Sequence, residues 1–475
     1  MDILVISPEA GNWTSPSSLT TAVNRMADAF LRTGVRALTI SPFYKTKIKD
    51  PENYECIFKG KEWLHGRSFE VYRSKNDALH TYIYNEEFFN RPFVYGPPND
   101  IPYGDNHLRF AFLASAALAY ASAIRFRCMA IIGHEWGGAL AGALATTVYQ
   151  EDFESVPFFF FVHNITYDFH VSSSEIENIG LPRKNYNMDG YEFWGKVSLL
   201  KAGICYAHKV IFPSPGYRDA MLYTNLSGGL SGFLNHNADK LIGIQFGVSY
   251  EFWNFNKENR PIKDAKKNAR KELAEKYGAD YSNKLLMYVH LDTEAGNTSE
   301  TLATILADVT KENVFVLVGC SQNHPDWNYY NECARQDPKS MQVIEFDETF
   351  TDVEKLRSIL AASDIMFAGN LREPSTSILL KSLACGCIPV TGRNVGVASM
   401  LTDYTFDTAA AANAFLVDDA NAPHLMLPRI KDALNVYQTD TADWDKVVVN
   451  AYGGFHYEWD KTISKYLLIF GELGL

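Results

Sequence analysis

Apolar and polar positions along the chain fall into two successive blocks, each reading strand, helix, strand. Residues 2–7 (DILVIS) form a short apolar run closed by the turn-rich loop 8–18, the pattern of a strand buried on both faces. After it Leu19, Val23, Met26, Ala27, Phe30 and Leu31 recur at helical spacing and predict one buried face, with Gly34 ending the helix. VRALTISPF (35–43) is a second strand, and 54–85 hold short alternating strands separated by turns, a hairpin excursion at a sheet edge. An alanine-rich helix over 106–126, a strand over 128–135, a helix over 192–207 and the strands KVIFPS and LIGIQF complete the block. At its centre lies PFFFFVHNITYDFH (157–170), where five apolar residues, 158–162, run into His163-Asn164.

The composition changes after Trp253-Asn254-Phe255-Asn256. A run rich in both charges, 257–278, predicts a solvated helix after a linker. The alternation then restarts: LLMYVH, helix 298–308, VFVLVG, helix 326–335, MQVIEF, helix 353–362, DIMFA, helix 374–386, CIPVT. Strands separated by single helices imply doubly wound parallel sheets, so the expected class is α/β with two Rossmann-like domains, residues 1–253 and 260–455. Ligands of such sheets lie outside the carboxyl ends of the strands, and a cleft between two such faces is the expected site. Two strands deliver polar groups there, one ending on His134-Glu135-Trp136 and the other on His163.

Length and composition narrow the classes. At 475 residues, 47% hydrophobic and 21% charged, the chain is globular and too long for one ordinary core. A net charge of −12 argues against nucleic acid or an anionic membrane as partner. The seven cysteines form no CxxC pair and no ligand cluster with histidine, so no metal site is expected. The chain opens directly on a strand with no leader pattern, which reads as a cytoplasmic, reduced protein. The loop 8–18 holds one glycine and no lysine or arginine, a weak start for an anion site.

Several longer stretches carry a resemblance: RPFVYGPPNDIPYGDNHLRFAFL (91–113), HEWGGALAGAL (134–144) and HNITY (163–167). To these add the block from Gly190 through KAGICYAHKVIFPSPGY to LIGIQFGVSYEFWN, and ASDIMFAG, REPSTS, CGCIPV and FHYEWDKTISKYL. Together they resemble the glycogen/starch synthase family of glucosyltransferases, which carry two Rossmann-like domains with a sugar nucleotide between them. The resemblance implies that 456–475 form a closing helix crossing back to the N-terminal domain. It implies no cofactor, a sugar nucleotide such as ADP-glucose as donor substrate, and an α-glucan (glycogen or a malto-oligosaccharide) as acceptor. Position by position, His163 holds the place of the family's active-site histidine and Glu373, in REP, that of its essential acid. Tyr103 stands where the family has a donor-contacting tyrosine. Glu135 replaces the aspartate of H-D-W, and with Trp136 it forms the expected acceptor side.

The family's cations are missing. K-T-G-G-L becomes Ser15-Pro16-Ser17-Ser18-Leu19, while His290 stands for an arginine and Ala295 for a lysine. His290, Arg372, Ser375 and Thr376 are the remaining candidates for phosphate contact, with Arg393 the other nearby cation. A departing diphosphate is a dianion whose charge must be met as the bond breaks. Two readings therefore stand: a glucosyltransferase with a rebuilt donor site, or a silent relative that binds glucan or regulates an active synthase paralogue. An unrelated glycosyltransferase with another donor is a third.

Overall fold

The computed structural model describes the chain apart from residues 15, 98–100, 282, 292–297, 348–351, 370–376, 394–395, 421, 455–456 and 475. The chain divides into two compact units: Met1–Pro213 with Arg218–Ile244 and Trp459–Leu475, and Gln245–Glu458 with Ser214–Tyr217.

The first unit is built on β1 (Asp2–Ile6), β2 (Arg36–Pro42), β3 (Tyr54–Lys61), β4 (Ser68–Ser74), β5 (Asp77–Tyr84), β6 (Ala130–His134) and β7 (Phe158–Phe161). It continues with β8 (His170–Ser172), β9 (Glu192–Phe193), β10 (Lys196–Ser198), β11 (Lys209–Phe212) and β12 (Leu241–Gly243). Nine of these form one sheet in the order β12-β11-β7-β6-β1-β2-β5-β4-β3. Neighbours from β12 to β5 are parallel, and β4 and β3 extend the edge as an antiparallel hairpin. Strand β7 is four consecutive buried phenylalanines. Phe158 fills the space a Cβ would take at Gly142, 2.3 Å from its ring, and Phe160 does the same at Gly203. On the other face Phe159 meets Phe470 at 4.4 Å and Phe161 meets Tyr466 at 5.2 Å, both from the final helix, Trp459–Glu472. Burying one such ring contributes roughly 2–3 kcal/mol.

Helix α1 (Ser18–Arg32) starts where the Ser17 side chain accepts from the Thr20 N–H at 3.0 Å. Leu19, Val23, Met26, Ala27 and Phe30 are buried, but Leu31, expected on the same face, is 57% exposed. At about 100° per residue it lies roughly a quarter-turn beyond the centre of that stripe. The helix expected over 192–207 is the largest correction. Residues 192–198 are instead the hairpin β9–β10, with Trp194-Gly195 at its tip, and the helix is Leu199–Tyr206, capped by Ser198. Both tip residues are left-handed, φ +51° and +77°. The sequence signal for such a turn is Asn or Asp before Gly, and tryptophan hides it. Strand β12 is shorter than LIGIQF suggests; it is an edge strand with one partner.

The second unit carries β13 (Leu285–Leu291), β14 (Val314–Ser321), β15 (Met341–Phe346), β16 (Ile365–Phe367), β17 (Ile388–Gly392) and β18 (Phe415–Val417). They form an all-parallel sheet in the order β15-β14-β13-β16-β17-β18. Helices Thr298–Val309, Trp327–Gln336, Val353–Ala362 and Ser377–Ala384 connect them. Helix Ile262–Tyr277, read above as solvated, has one docked face. Its Lys266 is buried and donates to the carbonyls of Ala361 (3.1 Å), Ser363 (2.7 Å) and Cys385 (3.4 Å), satisfying helix-end acceptors that water does not reach. All seven cysteines are free. Among the described residues no helix is long and apolar enough to cross a membrane.

Candidate functional site

Strands β6 and β7 run in parallel with His134 opposite Phe161, so the residues just past both strands share one rim. There His134 Nδ1 and His163 Nε2 are 2.8 Å apart. One nitrogen donates and the other accepts, so at most one of the two rings carries a charge. Loss of water pushes His163 down to about 3 and His134 well below its ordinary value, the latter also by proximity to its neighbour. His134 Nε2 is buried without a partner among the described residues.

Glu135 follows His134 in a left-handed conformation, φ +55°, unusual for a residue with a Cβ. That turn sends its side chain back under the β7 end, where Oε1 accepts from the backbone N–H of His163 (2.5 Å) and Asn164 (2.8 Å). Oε2 is buried with no partner among the described residues. Burial raises the carboxyl to about 8, against the lowering effect of the two N–H groups. At neutral pH it is mostly protonated, with an O–H poised to donate.

Trp136 lies buried in an aromatic stack: Phe169 at 4.8 Å face to face, Phe110 at 5.0 Å edge-on and Tyr95 at 5.5 Å. Tyr103 joins through its backbone, donating to the Tyr95 carbonyl at 2.8 Å. Its half-buried ring lies 4.9 Å from the Arg91 guanidinium and 5.2 Å from that of Arg109. Neither cation is idle. Arg91 is bidentate to Asp105 at 2.7 and 2.6 Å, and the fully buried Arg109 donates to the Phe88 and Val94 carbonyls, Asn106 Oδ1 and the Tyr44 hydroxyl. Tyr103, Glu135, Trp136 and His163 are thus one connected set.

The first loop is closed by its own residues. Gly11 and Asn24 exchange two hydrogen bonds of 2.8 Å, and Glu9 Oε2 accepts from the hydroxyls of Ser17 and Thr20 (the latter at 3.3 Å). A protein carboxylate therefore sits at the amino end of α1, where an incoming anion would be favoured. Ser15 lies outside the described residues. Sequence reasoning placed His134 on this rim without a role and missed Glu9, Tyr95, Arg91 and Arg109, none of which carries a signal in the pattern of residues.

In the second unit His290 is the penultimate residue of β13, with Nδ1 2.9 Å from the Tyr288 hydroxyl. Arg393 bonds to Asp403 at 2.5 Å and lies 3.3 Å from Asp418. Arg372, Glu373, Ser375, Thr376 and Ala295 lie outside the described residues. No group of three or more His, Cys, Asp or Glu among the described residues is placed to hold a metal ion.

Residues 2–236 match the starch synthase catalytic domain family. The glycogen synthase of Desulfatibacillum aliphaticivorans is 28% identical over 82% of this chain and 80% of its own length. That of Pseudothermotoga lettingae is 24% identical over 99% of both. Among solved structures, the catalytic domain of starch synthase IV from Arabidopsis thaliana, bound to ADP and acarbose, superposes with a TM-score of 0.80 at 18% identity, covering 99% of this chain and 98% of that one. Sucrose-phosphate synthase from Thermosynechococcus elongatus gives 0.58 at 12% identity over 99% of each. The α/β fold is the two-domain glycosyltransferase architecture, and the chain belongs to the glycogen/starch synthase family.

Proposed function

We propose that this chain binds α-1,4-glucan and transfers glucose from a sugar nucleotide only weakly or not at all, acting as a silent or strongly altered synthase. In this reading His163 and Glu373 hold the catalytic places, and Tyr103, Glu135 and Trp136 are the substrate-binding residues. His290, Arg372, Ser375 and Thr376 are the groups left to meet phosphate. The observation that carries it is the first loop: no cation, and Glu9 occupying the amino end of α1. A charge contact to a departing phosphate is worth about 3–5 kcal/mol of barrier, so a carboxylate there works against transfer. Such a protein serves as a glucan-binding or regulatory partner of an active synthase paralogue.

A second reading, a working ADP-glucose glucosyltransferase with a rebuilt donor site, draws support from the buried polar set His134, Glu135 and His163. Packing alone does not require two histidines and an acid at a strand end. Labelled ADP-glucose with glycogen separates the two. The expected outcome is malto-oligosaccharide binding with weak or absent ADP binding and negligible turnover. Turnover at about 10 s⁻¹, an ordinary enzyme rate, refutes the silent reading. The triple change Ser15→Lys, His290→Arg, Ala295→Lys should raise ADP affinity; no gain means that more than the cations has been lost.

A further inference from the structure

The hairpin β9–β10 presents an aromatic face that the protein itself does not use. Trp194 at its tip is 84% exposed, and its φ of +51° is one that Asn, Asp or Gly normally supplies. Its ring packs only edge-on to Phe193, at 6.2 Å. Phe193 in turn stacks on His170 at 5.2 Å and 15°. At the foot of the hairpin the Lys201 ammonium donates to the carbonyls of Glu192 and Met188, the latter residue 80% exposed. A tryptophan kept in a costly backbone conformation, with its ring in water, is poorly explained by folding.

The face follows directly along the chain from the rim described above. Strand β8, which pairs with β10, begins at His170, and the preceding residue, Phe169, is the one stacked on Trp136. Only seven residues separate His163 from His170, at most about 25 Å of extended chain. Along the chain, Phe169 on the Trp136 stack is followed directly by His170, which carries Phe193 and, beyond it, Trp194. A glucose ring has an apolar C–H face that stacks on such rings and a hydroxyl edge that needs polar partners. Glu192, whose Oε1 accepts from the Gly195 N–H at 2.7 Å, supplies one on the hairpin itself, while the buried Asp168 carboxylate, 2.9 Å from His170 Nε2, holds the histidine ring in place.

We propose that Trp194, with Phe193 and His170, forms an outer subsite that stacks glucose residues of an α-1,4-glucan chain held farther in at the His134–His163 rim. This rests on the glucan-binding reading above. The test is calorimetric titration of the full chain with maltotriose and maltoheptaose, for the wild type, Trp194→Ala and Trp194→Asn. The wild type should bind maltoheptaose more tightly than maltotriose. Either substitution should weaken maltoheptaose binding about tenfold, the scale of one lost aromatic contact, and leave maltotriose within about twofold. Trp194→Asn should also raise Tm, since asparagine suits the turn; gain of stability with loss of long-chain affinity is a signature a structural role does not give. Equal maltoheptaose affinity in all three proteins overturns the subsite alone. So does a change of sedimentation in Trp194→Ala with maltoheptaose affinity kept, which assigns the face to a second copy of the chain. Absence of oligosaccharide binding by the wild type overturns the glucan reading and the subsite with it.

Discussion

Replacing Glu135 by Gln tests the reading that the carboxyl at the end of β6 is protonated in the folded chain. Burial holds it at about 8, against an ordinary value of 4.5. In the unfolded chain the group ionises above about 4.5, while the fold keeps its proton up to about 8, so between these values the native state binds one more proton. Stability from this group is therefore complete below about pH 4.5, falls by about 1.4 kcal/mol per unit above it, and levels off beyond about pH 8. From pH 5 to 7 the loss is about 3 kcal/mol, or roughly 5–10 °C in Tm for a domain of this size. Glutamine does not titrate, yet its amide oxygen can still accept from the N–H groups of His163 and Asn164. Differential scanning calorimetry of both proteins at half-unit steps from pH 5 to 8.5 reads the difference directly. The variant should gain on the wild type by that 5–10 °C between pH 5 and 7. A difference that stays flat with pH refutes the reasoning: the carboxyl would then be ionised in the fold, with solvent meeting Oε2.

Arg109→Met should cost about 3–5 kcal/mol, because it strands two buried carbonyls and the Asn106 side chain together; a Tm within about 2 °C of wild type contradicts this. Glu9→Gln should lower stability by about 1 kcal/mol, the value of an acid at a helix amino end, measured as a fall in Tm at low ionic strength that shrinks in 1 M salt. A salt-independent change means that the Ser17 and Thr20 hydroxyls, rather than the helix end, account for it.

Residue periodicity was a sound guide wherever burial alone decides structure. Four phenylalanines in a row have one economical home, a strand covered on both faces, and β7 is that. The meeting of His134 and His163 follows from parallel pairing of β6 with β7 and needs no side-chain detail. What sequence could not carry was the direction of a side chain after a left-handed residue. Nothing in the pattern of residues tells that Glu135 takes a φ of +55° and lays one carboxyl oxygen on two peptide N–H groups. Trp194 was read into a helix for the same reason, since a left-handed tryptophan is invisible to any pattern of apolar positions. Lys266 failed differently: a charge run reads as solvated unless one ammonium finds three carbonyls, a tertiary fact.

Six described residues other than glycine have positive φ: Asp50, Arg125, Glu135, Trp194, Asn259 and Asn283. Asn and Asp adopt this conformation readily, while for a bulky side chain it costs roughly 1–2 kcal/mol. At Glu135 two hydrogen bonds from the β7 end offset that cost within the protein. At Trp194 the ring is 84% exposed, and among the described residues only the edge-on contact with Phe193 stands against that cost. A local rule broken without internal compensation points outward, to something the protein binds. The same chain has no lysine or arginine in its first loop, 8–18, and carries a strained aromatic turn on the hairpin β9–β10. Holding a glucan and transferring glucose to it are separable demands, and the proposed function assigns this chain the first without the second.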